Sequence, residues 1–243
     1  MKKTLNHLLN LILPPRCIGT GDIVAQSGLL SAEYWQKLHF VEQPYCDCCG
    51  IPFETSLGED MSGILCSPCL MTPPIFDKAR SALIYEDYSR KLILSFKYGD
   101  KLHTTTSFGI WLNKAAKDFM DDADLIIPVP LHAKRLWWRR FNQSALLADA
   151  LSSKTQIPHR SDVLIRARKT KQHKDMKSEE RQKNVAGAFG LRRPTDADII
   201  KGKNIILIDD VFTTGATLNA CSKTLKAHGA GKIYALTLAR VLL

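Results

Sequence analysis

The chain has 243 residues, of which 45% are hydrophobic and 24% are charged, and it carries a net charge of +10. This length and composition suit one sizeable α/β domain with a small appendage. They exclude an intrinsically disordered protein, which would contain too few hydrophobic residues to form a core. No apolar run reaches the roughly 18 residues of a membrane-spanning helix, so we expect no membrane insertion. The basic charge favours phosphate-rich partners, but a solvated basic surface would account for it equally well.

Residues 1–17 begin like a signal peptide, with two lysines ahead of an apolar stretch. Three polar side chains interrupt that stretch, and Pro14, Pro15 and Arg16 stand where small residues should mark a cleavage site. We therefore predict a short amphipathic helix here and a cytoplasmic protein. A second helix is predicted around residues 31–40.

Six of the seven cysteines lie in the first 75 residues, and four of them form two C-x-x-C pairs separated by sixteen residues. Each pair can wrap two thiolates around one ion, and two such knuckles complete a tetrahedral Zn²⁺ site. A closed site of four cysteines has no open position, so this zinc would be structural and would supply folding energy. The alternative is a set of redox-active or unpaired thiols. The predicted zinc ligands are Cys46, Cys49, Cys66 and Cys69.

Thr72, Pro73 and Pro74 mark a break in the chain. We therefore expect a zinc-ribbon-like module with its leading helix in residues 1–75 and a larger domain in residues 76–243. Beyond the break, strands and helices alternate, which predicts an α/β fold with a parallel sheet flanked by helices. The predicted strands are 79–85, 124–129, 163–165, 203–208 and 232–239, and the predicted helices are 88–97, 107–120, 142–153 and 217–228.

The segment from Ile205 to Thr217 joins a strand, two acids, a short loop and a helix. Its four aliphatic residues predict a strand buried on both faces, which Asp209 and Asp210 end. The loop opens directly into the helix, and Gly215 would let the backbone approach a ligand closely. Amides at the helix N-terminus and three threonine hydroxyls would then cradle a phosphate. The predicted cradle consists of Thr213, Thr214, Gly215, Ala216 and Thr217.

Two adjacent carboxylates beside such a cradle have a chemical use. Asp209 and Asp210 could accept hydrogen bonds from two ribose hydroxyls and could hold Mg²⁺ through water. The alternative is a buried strand and a capped helix whose acids are merely solvated. The segment lacks the G-x-x-x-x-G-K-[ST] spacing of a P-loop, which disfavours an ATPase.

The whole string, IILIDDVFTTGAT, resembles the motif with which type I phosphoribosyltransferases bind phosphoribosyl pyrophosphate (PRPP). The resemblance implies the type I phosphoribosyltransferase fold. It also implies that Asp209 and Asp210 contact the ribose as the catalytic pair, that the cradle binds the 5′-phosphate, and that Mg²⁺ accompanies PRPP. Enzymes acting on 6-oxopurines carry an acid at the position of Thr213, so that substrate class is disfavoured.

Two basic segments are candidates for the pyrophosphate side of PRPP. The first follows the predicted strand 124–129, and its Arg135 and Arg139 would neutralise a pyrophosphate unless they belong to a solvated helix face. Two tryptophans between these arginines could stack a base or pack against the protein. The second segment, residues 166–189, begins with Arg166 and predicts either a flexible loop closing over the site or an exposed connector.

Several short pieces, together with the cysteine module, resemble the ComF family of competence proteins over nearly the whole chain. The resemblance implies a role in natural transformation, handling imported single-stranded DNA, with that DNA and other competence proteins as possible partners. ComF relatives often carry a further C-x-x-C that begins at Cys17, but Thr20 occupies the partner position here. The matching pieces are Pro128-Val129-Pro130-Leu131, Phe141-Asn142-Gln143, Arg166-x-Arg168-x-Thr170 and Asn184-Val185-x-Gly187-Ala188-Phe189.

Three functions remain open on these residues. The chain could be a PRPP-binding competence protein, an active phosphoribosyltransferase that transfers ribose 5-phosphate to an unidentified acceptor, or a PRPP-sensing regulator. No base-recognition segment is identifiable, so the pattern does not decide whether the chain is an enzyme.

Overall fold

The computed structural model describes residues 14–26, 28–54, 63–98, 104–132, 136, 141–168, 180 and 184–242. The first 13 residues of the predicted amphipathic helix, Arg135, Arg139, both tryptophans between them and most of the second basic segment lie outside the described residues.

The described residues contain six strands and seven α-helices. The strands are β1 (Lys78–Ile84), β2 (Leu125–Pro128), β3 (Leu164–Arg166), β4 (Phe189–Leu191), β5 (Ile205–Phe212) and β6 (Ile233–Arg240). The helices are α1 (Ala32–Gln36), α2 (Ser67–Met71), α3 (Asp87–Tyr98), α4 (Thr105–Ala115), α5 (Gln143–Thr155), α6 (Asp196–Ile200) and α7 (Ala216–Ala227). None of these helices has both the length and the apolar content that a bilayer crossing requires.

Four strands form a parallel sheet in the order β1-β6-β5-β2, and β3 pairs with β4 antiparallel beside it. Helices α3, α4 and α5 pack on one face of the sheet, while α7 and the β3–β4 pair pack on the other. Because both faces are covered, the two central strands β5 and β6 carry continuous apolar runs. The predicted parallel α/β sheet is therefore confirmed.

The observed strand β5 is longer than the predicted strand 203–208. It continues through Asp209 and Asp210 to Phe212, because β6 runs beside it as far as Arg240. The two acids therefore lie on hydrogen-bonded strand rather than in a loop. Since parallel strands end at one edge of their sheet, β5 delivers these acids to the edge where ligands of open α/β sheets bind.

The predicted helix 107–120 is shorter in the structure, since α4 ends at Ala115. Two other predicted elements differ from the structure. The predicted helix 31–40 is a short helix, α1, which Ser31 caps by accepting a hydrogen bond from the Tyr34 amide. The predicted connector 166–189 ends in a strand, β4, because Phe189 pairs with Arg166 across the antiparallel pair. Composition alone did not predict either change, since both depend on contacts outside the segment.

The cysteine module rests directly on the edge strand β1. The Val41 amide donates to the carbonyl of Ala82 at 3.0 Å, and the Ala79 amide donates to the carbonyl of Cys48 at 2.6 Å. Gly50 has a φ of 70°, and a Cβ added there would lie 2.5 Å from the Ala79 carbonyl oxygen. The module therefore sits too close to the sheet for any other residue at position 50.

Candidate phosphate loop and metal centre

A three-residue loop connects β5 to α7 and borders a shallow, open depression. Gly215, which precedes α7, has a φ of 73°, and a Cβ added there would lie 2.9 Å from Cζ of Phe212. A side chain at this position would therefore be strained by its backbone and by its neighbour. The depression is lined by Asp209, Val211, Phe212, Thr213, Thr214, Gly215, Ala216, Thr217 and Leu218.

The start of α7 offers donors to this depression. The first N–H groups of an α-helix have no intrahelical acceptor, and no side chain caps them in α7. The hydroxyl oxygen of Thr214 is buried and has no hydrogen-bond partner among the described residues. Burying a hydroxyl without a partner costs about 1–3 kcal/mol, and a turn of the Thr214 side chain toward an anion oxygen in the depression would remove that cost. The loop therefore fits a phosphate group.

The two acids at the end of β5 are held by different partners. Asp209 accepts hydrogen bonds from the Ser144 hydroxyl at 3.1 Å and from the Asp210 amide at 2.9 Å. Asp210 forms an ion pair with Lys97 at 2.9 Å. Burial and the charge of Asp210 raise the pKa of Asp209 to about 7, although the Asp210 amide, Lys97 and Ser144 act in the opposite direction. Asp209 can therefore gain or lose a proton near neutral pH.

Sequence reasoning missed Lys97 and Ser144. Lys97 lies in the last turn of α3, and its side chain is only 16% exposed, which is unusual for an unpaired lysine. Ser144 directly follows the Phe141-Asn142-Gln143 piece, in which Asn142 caps α5 and donates to the Val129 carbonyl at 3.0 Å. That piece therefore joins the end of β2 to the acids on β5.

The structure does not bring every predicted residue to the depression. Arg166 lies on β3 with its guanidinium 5.3 Å from the centre of the Phe189 ring, and it is not among the lining residues. Its assignment to pyrophosphate stays a prediction, as do those of Arg135 and Arg139. Asp210 is also absent from the lining residues, but it neighbours Asp209 on β5.

The sulfurs of the four predicted zinc ligands lie within 4.8 Å of one another, and those of Cys49 and Cys66 are 3.6 Å apart. A tetrahedral ion with Zn–S bonds of about 2.3 Å separates its sulfurs by roughly 3.8 Å. The amides of Cys49 and Cys66 donate to the sulfur of Cys46 at 3.4 and 3.3 Å. Burial opposes ionisation of Cys46, but these amides, together with the Cys66 side chain and the Cys48 backbone, outweigh it and lower its pKa to about 7. The cluster therefore fits a zinc ion.

Two regions of the chain match family models. A double zinc ribbon domain matches residues 8–73, and a phosphoribosyl transferase domain matches residues 142–242. Competence protein F of Haemophilus influenzae is 31% identical over 232 residues, which cover 93% of this chain and 96% of that protein. The chain belongs to the ComF family of competence proteins.

Two further relatives accompany this ComF match. DNA utilization protein YhgH of Escherichia coli (strain K12) is 27% identical, over 83% of this chain and 86% of that protein. Competence protein ComFC of Bacillus subtilis is 31% identical, over 66% of this chain and 63% of that protein. The predicted ComF resemblance and the predicted phosphoribosyltransferase fold with a zinc-ribbon module are therefore confirmed.

The first half of this ComF ribbon is built differently from the second half. Cys17, Thr20, Ser31 and Tyr34 repeat the two C-x-x-C spacings with one cysteine only. The hydroxyl oxygens of Thr20 and Ser31 lie 3.2 Å apart, and Tyr34 is buried in the same cluster as Cys17. A Cβ on Gly19 would overlap the Tyr34 ring. In this half of the ribbon, hydrogen-bonding hydroxyls and an aromatic ring thus take the place of three cysteines.

The cysteines outside the cluster have other surroundings. Burial opposes ionisation of Cys17, but hydrogen bonds from Thr20 and Ser31 outweigh it and lower its pKa to about 7. Cys48 packs against the core shared by α7 and the sheet. Cys221 is buried on α7, where burial and the charge of Asp209 hold its pKa well above its usual value.

Proposed function

We propose that this chain binds PRPP together with Mg²⁺ at the carboxyl edge of β5. The loop from Thr213 to Thr217 holds the 5′-phosphate, and Asp209 and Asp210 hold the ribose hydroxyls and the metal. The buried, unpartnered hydroxyl of Thr214 carries this proposal, because Thr214 lines a depression together with two further threonines and the uncapped amides at the start of α7. Mg²⁺ supplies positive charge to the pyrophosphate when it is bound.

Ser144 and Lys97 prepare the acids for the ribose. Ser144 holds one oxygen of Asp209 and leaves the second oxygen to accept from a sugar hydroxyl. Lys97 neutralises Asp210, so that two adjacent carboxylates can coexist at one sheet edge. The basic residues Arg135, Arg139 and Arg166 stay our candidates for the pyrophosphate.

We also propose that the protein acts in the cytoplasm in natural transformation, handling imported single-stranded DNA with other competence proteins. The names of its relatives and its net charge of +10 support this role. Phosphate contacts release counterions, so binding of single-stranded DNA must weaken steeply as salt rises. Binding that ignores salt between 50 and 200 mM would count against the DNA role.

Calorimetric titration of the full chain with PRPP and Mg²⁺ tests the proposed binding. Replacing Thr214 by valine removes a hydrogen bond to a charged group, worth about 1.5–3 kcal/mol, and should weaken binding at least tenfold. Asp209→Asn should weaken it as well. Thr224→Val is the matched control, because this hydroxyl, on the helix that follows the loop, already donates to the Ala220 carbonyl at 3.2 Å.

The titration does not distinguish an enzyme from a PRPP sensor, so a second assay is needed. A transferase would release pyrophosphate from PRPP with some nitrogenous acceptor, and Asp210→Asn would abolish the release. A sensor would bind PRPP saturably without turnover and would change the affinity of a partner.

A further inference from the structure

Arg240, the last residue of β6, lies between the cysteine cluster and the phosphate loop. Its side chain is buried, with only 3% of the residue exposed. Its Nη1 donates to the carbonyl oxygen of Cys49 at 2.6 Å, and its guanidinium lies 5.1 Å from the centre of the Phe212 ring. Strand pairing fixes this neighbourhood, because Arg240 and Phe212 are register partners on β6 and β5.

Phe212 continues the contact into the loop. Its ring is buried, and it packs edge-on against Phe76 with centroids 6.0 Å apart. The ring also lies so close to Gly215 that a single added carbon would meet it at 2.9 Å. Any shift of the ring toward the loop therefore moves the backbone that begins α7.

The charge on Arg240 explains why the cysteine cluster matters to this arrangement. Among the described residues no carboxylate pairs with Arg240, and its Nε has no hydrogen-bond partner. Burial lowers the pKa of this guanidinium, and the nearby cluster sulfurs act in the opposite direction. A buried charge without a counter-charge costs several kcal/mol. Four thiolates around one Zn²⁺ carry a net charge of −2, so the occupied cluster supplies that counter-charge.

We propose that zinc in the cysteine cluster sets the affinity of the phosphate loop, with Arg240 and Phe212 as the positioning residues between the two sites. This inference rests on the proposed binding of PRPP. Zinc fixes the Cys49 carbonyl and pairs the charge of Arg240, Arg240 seats the Phe212 ring, and the ring holds Gly215 in place. Because coupling between two binding sites is reciprocal, PRPP raises zinc affinity by the same factor by which zinc raises PRPP affinity.

Arg80 on β1 provides a matched control. It is equally buried, with 2% exposed, and its Nη1 likewise donates to a ribbon carbonyl, that of Asp47, at 2.9 Å. It also forms an ion pair with Asp118 at 2.6 Å, and its guanidinium lies 4.5 Å from the centre of the Tyr45 ring. None of these partners lines the depression. Arg80 therefore attaches the ribbon to the sheet without touching the loop.

The test uses the full chain, loaded with one zinc per molecule, as wild type, Arg240→Gln and Arg80→Gln. Calorimetry measures the affinity for PRPP with Mg²⁺, and competition with a chromophoric chelator measures zinc affinity with and without PRPP. Arg240→Gln should weaken PRPP binding about tenfold at full zinc loading, within the usual range of coupling between sites. It should also shrink the gain in zinc affinity that PRPP produces. Arg80→Gln should keep both quantities, even where it lowers stability.

Phe212→Leu keeps the proposal testable if Arg240→Gln does not fold. It leaves the hydrogen bond from Arg240 to Cys49 intact, so it should bind one zinc and weaken PRPP binding. Equal PRPP affinity in wild type, Arg240→Gln and Phe212→Leu would overturn the coupling alone. Absence of PRPP binding by the zinc-loaded wild type would overturn the proposed function, and this inference with it.

Discussion

The cysteine cluster and the phosphate loop differ in which part of the chain would hold the ligand. In the cluster, four side chains converge from two short knuckles within a module that has little core of its own. In the loop, the hydrogen-bond donors would mostly be backbone amides, which a positive-φ glycine positions. Buried strands on both sides of β5 hold this backbone in place. A side-chain site therefore depends on its ion for structure, whereas a backbone site depends on the sheet behind it.

The largest expected effect breaks the cluster. Cys46→Ser removes a ligand, and we expect the zinc content to fall from one ion per chain to none. Because structural zinc in small modules contributes about 10–16 kcal/mol at neutral pH, the ribbon should lose its order while the parallel sheet persists. Elemental analysis and hydrogen exchange measure both results. Cys48→Ser is the control, since Cys48 lies beside the ligands but outside the cluster, and its variant should retain the ion.

The next effect breaks the loop and spares the cluster. Gly215→Ala forces a Cβ against Phe212 at a φ of 73°, so PRPP affinity should fall ten- to hundredfold with zinc content unchanged. Gly202→Ala is the matched control, because Gly202 has a φ of 71° and open space around its Cβ position. Both variants carry backbone strain of about 1–2 kcal/mol, but only the first should lose affinity. Equal losses in the two variants would contradict the assignment.

A smaller effect concerns pH at the acids. The pKa of Asp209 is raised to about 7 by burial and by Asp210, so PRPP affinity should rise up to about tenfold between pH 6 and pH 8 as the carboxylate forms. Folding stability has the opposite sign, because the folded chain binds the proton more tightly than the unfolded chain does. It should fall from about pH 4 to pH 7. In Asp209→Asn, the contributions of this carboxyl to the pH dependence of PRPP affinity and of folding stability should both disappear. A wild-type PRPP affinity that does not change between pH 6 and pH 8 would contradict the proposed role of Asp209.

The smallest effect separates the two halves of the ribbon. We expect the chain to bind one zinc although a double zinc ribbon model matches it, because Thr20, Ser31 and Tyr34 occupy the positions where ligands would be needed. Cys17→Ser should therefore keep the single ion and cost on the order of 1 kcal/mol of folding stability, in line with ordinary core substitutions. Zinc titration and denaturant unfolding measure these results. A loss of zinc on this substitution would show that the first half binds metal after all.

The same contrast decides what could be predicted from the sequence. The cysteine spacing predicted which four sulfurs meet, because two short knuckles fix their own local geometry. The thirteen-residue string likewise predicted the strand, the loop and the helix start in order. In both cases neighbouring residues carry the information.

The partners that come from elsewhere in the chain were not predictable. Lys97 reaches Asp210 only because α3 ends beside β5, and Ser144 reaches Asp209 only because α5 packs on the same face. Arg240 is far from Cys49 in sequence, yet it donates to its carbonyl. Residue type and charge at these positions do not predict such contacts, because the partners become neighbours only through the order of strands in the sheet.

The binding of PRPP by the phosphate loop can be observed directly in a ¹⁵N–¹H spectrum of the full, zinc-loaded chain. Adding PRPP and Mg²⁺ should shift the amide resonances of Gly215, Ala216 and Thr217 most strongly, because these N–H groups would donate to the 5′-phosphate. The Thr214→Val chain should need at least ten times more PRPP for the same shifts. If PRPP saturates the protein while the resonances of these three amides do not shift, the phosphate binds elsewhere and the proposed role of the phosphate loop is wrong.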